Sequence, residues 1–267
     1  MTHPLPTMAD SAGHTVVTGS ASGLGAALVV LLEAEGRSVI GVDRHDADIV
    51  ADLGTVDGRA SAIAEIVART GGRLDGLVSC AGVSPLHPDP ATVVSVNFFG
   101  AMGMLDGLLP ALAAGDASSA VAIASIGAVD GTADEALVAA MLAGNEAEAR
   151  SAAADGTDLR AAICYSSSKR AVAFAVRRRA AEWGRAGVRL NAVGPGRMET
   201  PMLDGLMADP LMAAGIDGYP SGIRPNGTAE DVGRAVRFLI GPDATFVHGQ
   251  VLFVDGGTDA LMRPDQI

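Results

Sequence analysis

The sequence of 267 residues predicts an α/β chain: a single doubly wound parallel sheet flanked by helices, with an extra helical insertion between Ser125 and Tyr165. Three observations predict it. Short apolar strands alternate with helical stretches, the order expected of βαβ units on a parallel sheet. The composition, 49% hydrophobic with 34 glycines, fits one well-buried core and many tight turns. The first strand runs into the glycine-rich turn Thr18-Gly19-Ser20-Ala21-Ser22-Gly23-Leu24-Gly25, which opens a helix. Neither a repeat nor a linker divides the chain, so residues 14–267 are expected to form one domain. Residues 1–13 read as a flexible extension without the basic start and apolar stretch of a signal peptide.

Taken in order, Thr15–Thr18 is the first strand and Leu24–Glu35 the first helix. Leu28, Leu31 and Leu32 lie on the buried side of that helix, and Gly36 is its stop. Ser38–Asp43 is the second strand. Gly58–Thr70 is a helix with Ile63, Ile66 and Val67 at helical spacing. Leu77–Cys80 is a buried strand ending at Ala81-Gly82, with Cys80 as a small core residue. A long helix covers Val93–Leu112 with an interruption expected near Pro110. Ala120–Ala124 is a strand, Tyr165–Ala186 a helix, Val188–Val193 a strand and Val251–Val254 the last strand. Thr228 followed by Asp231 has the form of a capping box. The insertion Asp134–Ala154 is rich in Ala, Glu and Leu and reads as one or two added helices, a lid or an interface element.

A net charge of −12 argues against nucleic acid and against an anionic membrane surface as partners. No apolar run reaches the ~18 residues of a membrane span. Two cysteines, Cys80 and Cys164, make no disulfide framework, which fits a reducing cytoplasm. Cys164 adjoins Tyr165 and therefore falls near the candidate site, but no histidine close in sequence activates it. No metal-ligating set is expected.

The glycine turn, placed between a strand and a helix, is a site for a dinucleotide. Gly19 permits the tight turn, Gly23 lets the backbone approach a pyrophosphate, and Gly25 allows the helix to pack on the strand. The helix N-terminus supplies N–H groups and a favourable dipole. Asp43 closes the second strand, where a carboxylate binds ribose hydroxyls and repels a 2′-phosphate, so NAD is expected over NADP. Arg44 beside it works the other way. Asp52 is placed to meet the adenine edge, or is a solvated loop carboxylate.

Tyr165 and Lys169 stand four residues apart, on one face of a helix. A free phenol, with a pKa of ~10, is a poor base at neutral pH, and a neighbouring ammonium is expected to lower it. A tuned phenol beside a nicotinamide serves proton transfer in hydride exchange between an alcohol and a carbonyl. Ser125 ends a strand, facing the crevice where ligands bind in such sheets. It either orients a substrate oxygen or merely forms a turn. Asn97 inside a helix either anchors a water that feeds protons to Lys169 or marks a bend.

From about His14 onward, these residues resemble the short-chain dehydrogenase/reductase family, whose sheet is of the Rossmann type. Thr18–Gly25 corresponds to the glycine motif of the family. Cys80-Ala81-Gly82 is similar to its Asn-Ala-Gly motif, with Ser79 and Cys80 in place of asparagines. Asn97, Ser125, Tyr165 and Lys169 match its catalytic four. Pro195-Gly196-Arg197-Met198-Glu199-Thr200 resembles its Pro-Gly motif. The resemblance implies a coenzyme held by Gly19, Ser22, Gly23, Leu24, Gly25, Asp43, Asp52, Leu53, Ala81, Gly82, Tyr165, Lys169, Pro195, Gly196, Met198 and Thr200. Runs such as Val94–Gly100, Arg177–Gly184 and Asp255–Pro264 are most similar to the bacterial hydroxysteroid dehydrogenase and carbonyl reductase subgroup. That likeness implies a cytoplasmic NAD-dependent oxidoreductase acting on a secondary alcohol or ketone, a hydroxysteroid or another hydrophobic carbonyl compound. It also implies a homodimer, with a tetramer as the alternative, because the insertion marks a subgroup in which the four-helix contact is blocked. Alternatives are reduction of a terpenoid or small cyclic ketone, and a sensor that binds NAD without chemistry. An enoyl reductase would carry a longer Tyr-to-Lys spacing. The segment Pro201–Arg224, with Met202, Leu203, Leu206, Met207, Leu211 and Met212, is expected to cover a hydrophobic substrate or to pack as an amphipathic lid.

Overall fold

The computed structural model describes residues 13–154 and 159–266, so the expected N-terminal extension lies, apart from Gly13, outside the described residues. The elements in chain order are β1 (His14–Thr18), α1 (Gly23–Glu33), β2 (Ser38–Asp43), β3 (Ile49–Val50), α2 (Val56–Thr70) and β4 (Gly76–Ser79). Next come α3 (Pro90–Val94), a π-helical turn (Ser95–Gly100), α4 (Ala101–Ala113), β5 (Ser119–Ile123), α5 (Glu135–Leu142), α6 (Glu146–Ala154) and α7 (Arg160–Arg185). The chain finishes with β6 (Arg189–Pro195), β7 (Met198–Glu199), α8 (Pro201–Ala208), α9 (Pro210–Asp217), β8 (Gly227–Thr228), α10 (Ala229–Ile240), β9 (Val251–Val254) and α11 (Thr258–Met262).

Seven strands form one sheet in the order β3-β2-β1-β4-β5-β6-β9, with every pairing parallel. The order reverses between β1 and β4. Crossovers on either side of that point lie on opposite faces of the sheet, which leaves a crevice beyond the strand ends. The central strands β1, β4, β5 and β6 are buried on both faces, and alternate residues feed two cores. Val16, Leu77, Ala120, Ala122 and Ala192 point toward α2, α4 and α7. Their neighbours Val17, Val78, Val121, Ile123 and Val193 point toward α1 and α10. Leu28 and Leu32 of α1 meet Val232, Val236 and Leu239 of α10 there. Leu31, expected on the same face, is half-buried and packs near Gly233.

Several expectations are corrected. In α2, Ile66 is buried but Val67 is exposed, because the buried stripe runs through Arg59, Ala62 and Ile66. The helical stretch Pro90–Ala113 passes through Pro110 without a break. Leu108, Ala111 and Leu112 around that proline are buried, and their packing offsets the lost backbone bond. The interruption lies instead at Ser95–Gly100, where the turn widens to the π form. This stretch is also long and apolar enough to cross a bilayer by composition, contrary to the sequence reading. Its apolarity is that of a core helix, with 67% of the apolar window buried inside the fold. Cys164 is fully buried in the core, and burial pushes its thiol up to about 11. Helix α7 begins at Arg160, so Tyr165 stands in its second turn rather than at its start.

The insertion is two helices, α5 and α6, as expected. It is fastened to the core by charge. Arg59 of α2, buried, pairs with Glu146 of α6 at 2.6 Å. Arg150 of α6 donates to Ser95 Oγ and to Ala91 O, at the opening of the π turn.

Candidate active site

The glycine turn is shaped by sterics that exclude side chains. Gly19 has φ 72°, and a Cβ there would stand 2.8 Å from the Ala81 Cα. A Cβ on Gly25 would overlap Gly19 O at 1.9 Å, which is how α1 comes close to the end of β1. Gly23 has φ 53°, and a Cβ there would meet only Thr200 Cγ2, at 4.0 Å. Ser22 caps α1 in extended conformation without a side-chain hydrogen bond, and no acidic residue lies in the first turn. The amino end of this helix therefore presents unpartnered N–H groups and an unneutralised dipole to the cleft, a fit for a pyrophosphate.

At the next strand end, Asp43 Oδ2 accepts from Ala21 N at 3.0 Å and Oδ1 from Arg44 N at 2.6 Å. The carboxylate is locked against the glycine turn and keeps acceptor capacity toward the cleft. Asp52 accepts from Gly54 N at 2.9 Å, and the buried Leu53 lines the cleft beside it. The turn after β4 has no asparagine to brace it. The Thr18 hydroxyl does so instead, accepting from Cys80 N and Ala81 N at 3.0 Å each. Cys80 is thus a half-buried wall residue of the cleft rather than a core residue, and burial pushes its thiol up to about 12.

Asn97 uses its whole amide on one partner. Oδ1 accepts from Val83 N at 2.7 Å and Nδ2 donates to Val83 O at 3.1 Å. The π turn carries this side chain across to the β4 loop like a rung. Gly82, beside that rung, lies between Asn97 and Lys169: a Cβ on it would stand 3.2 Å from Asn97 Oδ1 and 3.7 Å from Lys169 Nζ. Asn97 does not line the cavity, and its side chain is committed to the backbone rather than turned toward Lys169.

Ser125 follows β5 in extended backbone (φ −170°), and its Oγ accepts from Gly127 N at 3.2 Å. Its hydroxyl lies near the Tyr165 phenol and acts to lower the pKa of that group. Lys169, the sole lysine of the sequence, is 4% exposed and donates to Ile123 O at 2.8 Å. Its Nζ lies 5.7 Å from the centre of the Tyr165 ring. Burial lowers the Lys169 ammonium to about 8. Burial also raises the Tyr165 phenol above its ordinary value, against the opposing influence of the nearby Ser125 hydroxyl. The expectation that Lys169 pulls Tyr165 down is therefore not met within the protein alone. Both groups are desolvated, which disfavours the charged form of each, and the ammonium spends one donor on Ile123. At neutral pH Tyr165 holds its proton.

All of the sequence-predicted site residues except Asn97 line one cavity of about 1050 Å³. Pro195, Gly196 and Met198 form its wall after β6, and Thr200 caps α8 by accepting from Leu203 N at 3.4 Å. Its outer part is apolar, with Leu203, Leu206, Met212 and Ile216 from α8 and α9. These two helices bury no residue of their own, so the segment is both an amphipathic lid and a hydrophobic wall. Sequence reasoning missed Thr18, Asp130 and Tyr219. The available signals were slight: Asp130 lies five residues beyond Ser125, and Tyr219 is one of only two tyrosines. Among the described residues no His, Cys, Asp and Glu cluster could hold a metal ion.

Residues 13–155 match the family model described as short chain dehydrogenase, more than half of the chain. The chain belongs to the short-chain dehydrogenase family. It is an NAD(H)-dependent oxidoreductase of that family, with its Rossmann sheet. Residues 158–259 match a model described as Enoyl-(Acyl carrier protein) reductase. The chain is 41% identical over 252 residues to the 3-alpha-hydroxysteroid dehydrogenase/carbonyl reductase of Comamonas testosteroni, covering 94% of this chain and 98% of that one. It is 32% identical to the cis-4-hydroxycyclohexanecarboxylate dehydrogenase of Sinomonas cyclohexanicum, over 92% and 96% of the two chains. Among solved structures, the 3-alpha-hydroxysteroid dehydrogenase of Pseudomonas sp. B-0831 complexed with NADH superposes with a TM-score of 0.91 at 46% identity. That superposition covers 95% of this chain and 100% of the other.

Proposed function

We propose that this short-chain dehydrogenase interconverts a hydrophobic secondary alcohol and its ketone, a hydroxysteroid or a carbonyl compound of similar character, with NAD(H). One observation carries the reading: Tyr165, one helical turn from Lys169, opens with Ser125 onto the same cavity as the glycine turn and Asp43. Bound NADH supplies the hydride. The remaining work falls to the protein. Ser125 Oγ holds the substrate oxygen, and the Tyr165 hydroxyl delivers the proton to it during reduction. Lys169, charged below about pH 8, stabilises the phenolate left behind. Asn97 keeps Gly82 and the β4 loop in place beside Lys169. Gly19, Ser22, Gly23, Leu24 and Gly25 receive the pyrophosphate, and Asp43 the adenosine ribose. Asp52 and Leu53 border the adenine, while Ala81 and Gly82 border the ribose. Pro195, Gly196, Met198 and Thr200 flank the nicotinamide. The named relatives acting on hydroxysteroids support the substrate class, as does the apolar lid.

A second reading, reduction of a smaller cyclic ketone, is favoured by the likeness to a dehydrogenase of a hydroxycyclohexane carboxylate. The enzyme acts as a homodimer in the cytoplasm, a state supported by the two isolated free cysteines and by the insertion. The deciding experiment is a spectrophotometric panel of steroids, terpenoid ketones and small cyclic ketones with NADH and NADPH. Crotonyl thioesters are included as the enoyl reductase control. Ketone-dependent oxidation of NADH, absent with Tyr165→Phe, supports the reading, and activity on crotonyl thioesters alone refutes it.

A further inference from the structure

Among the apolar side chains that roof the substrate space stands one short, charged contact. Tyr219, just after α9, donates its hydroxyl to Asp130 Oδ2 at 2.6 Å. The carboxylate is built to receive it. Asp130 Oδ1 accepts from Thr132 N at 2.9 Å and Thr132 Oγ1 at 2.7 Å, and Oδ2 also accepts from Ser166 Oγ at 3.3 Å. Every acceptor position of Asp130 is thereby used, and the group is fixed between the loop after Ser125 and the residue next to Tyr165. Tyr219 is half-buried, and both it and Asp130 line the cavity. The two tyrosines of the chain are close enough for the charge state of Tyr165 to be felt by Tyr219.

The lid needs such a contact. Helices α8 and α9 bury none of their residues, so apolar packing holds them weakly. Among the described residues, apart from the Thr200 cap at its start, the lid is hydrogen-bonded from outside itself at two places, and just beyond it Pro220 O accepts from Thr258 Oγ1 at 2.7 Å. Arg197, on the coenzyme wall, reaches Ile216 O and Asp217 Oδ1 at 3.3 Å each. Asp130, on the substrate wall, holds Tyr219 at the shorter distance. The second is the stronger in geometry, at 2.6 Å against 3.3 Å and between two half-buried groups, whereas Asp217 is exposed.

We propose that Tyr219 is a substrate-positioning residue. Its hydroxyl, latched to Asp130, fixes the lid 201–219 against the wall that carries Ser125 and Tyr165 and so determines which carbonyl compounds are held for reaction. The latch stands on geometry alone, and its consequence for substrate rests on the ketone-reducing reading of the site. The pair also places a polar rim inside an apolar enclosure, so a ligand that fills the lid without disturbing the latch is favoured over a longer one that displaces Tyr219.

The test is hydrogen exchange on the full chain, with and without NADH, for Tyr219→Phe, Asp130→Asn and the double variant. Loss of a hydrogen bond to a carboxylate raises the open population by about tenfold or more. Amides of 203–217 are expected to exchange about tenfold faster in Tyr219→Phe and less so in Asp130→Asn, whose amide oxygen still accepts. The double variant is expected to match Tyr219→Phe alone. With the best ketone of the panel, KM rises about tenfold in Tyr219→Phe, with a smaller change in kcat and NADH affinity within about twofold. Unchanged lid exchange, or single effects that add in the double variant, overturns the latch. Faster exchange with unchanged KM overturns the positioning role. If the unaltered enzyme reduces no ketone, the functional reading fails while the exchange data still decide the latch.

Discussion

The charge on Lys169 is the most exposed point of the proposed chemistry, and its titration can be read directly. The perturbation is pH. An unburied lysine loses its proton near 10.5, whereas burial brings Lys169 down to about 8, a displacement that corresponds to ~3 kcal/mol of cost to the ammonium form in the folded protein. Because Lys169 is the sole lysine of the chain, protein grown on lysine labelled with nitrogen-15 at Nζ gives a single side-chain resonance. Its midpoint is expected near 8. The linkage has a definite sign. The folded state binds fewer protons than the unfolded state between about 8 and 10.5, so stability attributable to this group rises with pH across that window. Below it the cost is fully present. The stability difference between Lys169→Met and the unaltered protein therefore shifts by up to ~3 kcal/mol in favour of the unaltered protein as pH is raised through the window. Chemical denaturation at pH 7 and pH 10 measures this. A resonance that titrates within half a unit of 10.5, or a stability difference that does not move with pH, refutes the reasoning.

Other predictions follow from the same geometry. Tyr165→Phe lowers kcat for ketone reduction by about 10²–10⁴-fold while NADH binding, followed by fluorescence, is retained, and near-full activity would remove Tyr165 from the mechanism. Ketone reduction by the unaltered enzyme declines as pH rises through about 8, where Lys169 loses its charge, and a stopped pH profile flat to pH 10 contradicts that role. Thr18→Val leaves two backbone N–H groups in the β4 turn unpaired. It should destabilise the fold by about 1–3 kcal/mol for each one shut off from water and weaken NADH binding, as a denaturant titration and a binding isotherm would show. Asp43→Asn removes the charge that opposes a 2′-phosphate, so the ratio of kcat/KM for NADH over NADPH falls by about tenfold or more.

What was legible in the sequence is what local pattern encodes. The second and last strands fall where apolar runs place them, and Thr228 with Asp231 forms the capping box that their spacing announces. The glycine turn was legible because each glycine answers a steric demand within a few residues, as Gly25 does against Gly19 O. Tyr165 and Lys169 were legible because one helix carries both. The π turn was not, since a single widened turn leaves the composition of an apolar helix unchanged. The upward displacement of Tyr165 depends on burial by segments far away in the chain, which no spacing reveals. The Thr18 brace spans 63 positions and the Tyr219 contact 89, so both exist only once the crossovers are folded.

The two inserted helices have a consequence for anyone wishing to trim this enzyme toward a minimal scaffold. Arg150 grips the opening of the widened turn from outside, and Glu146 answers a guanidinium sealed beneath it. Excising α5 and α6 would strand the Arg59 cation in a dry interior and unclasp the segment that carries Asn97, whose amide in turn steadies the floor next to Lys169. The insertion is thus a buttress whose removal would be felt at the reacting centre, and shortened descendants of this chain would have to replace Arg59 with an apolar side chain before they could dispense with it.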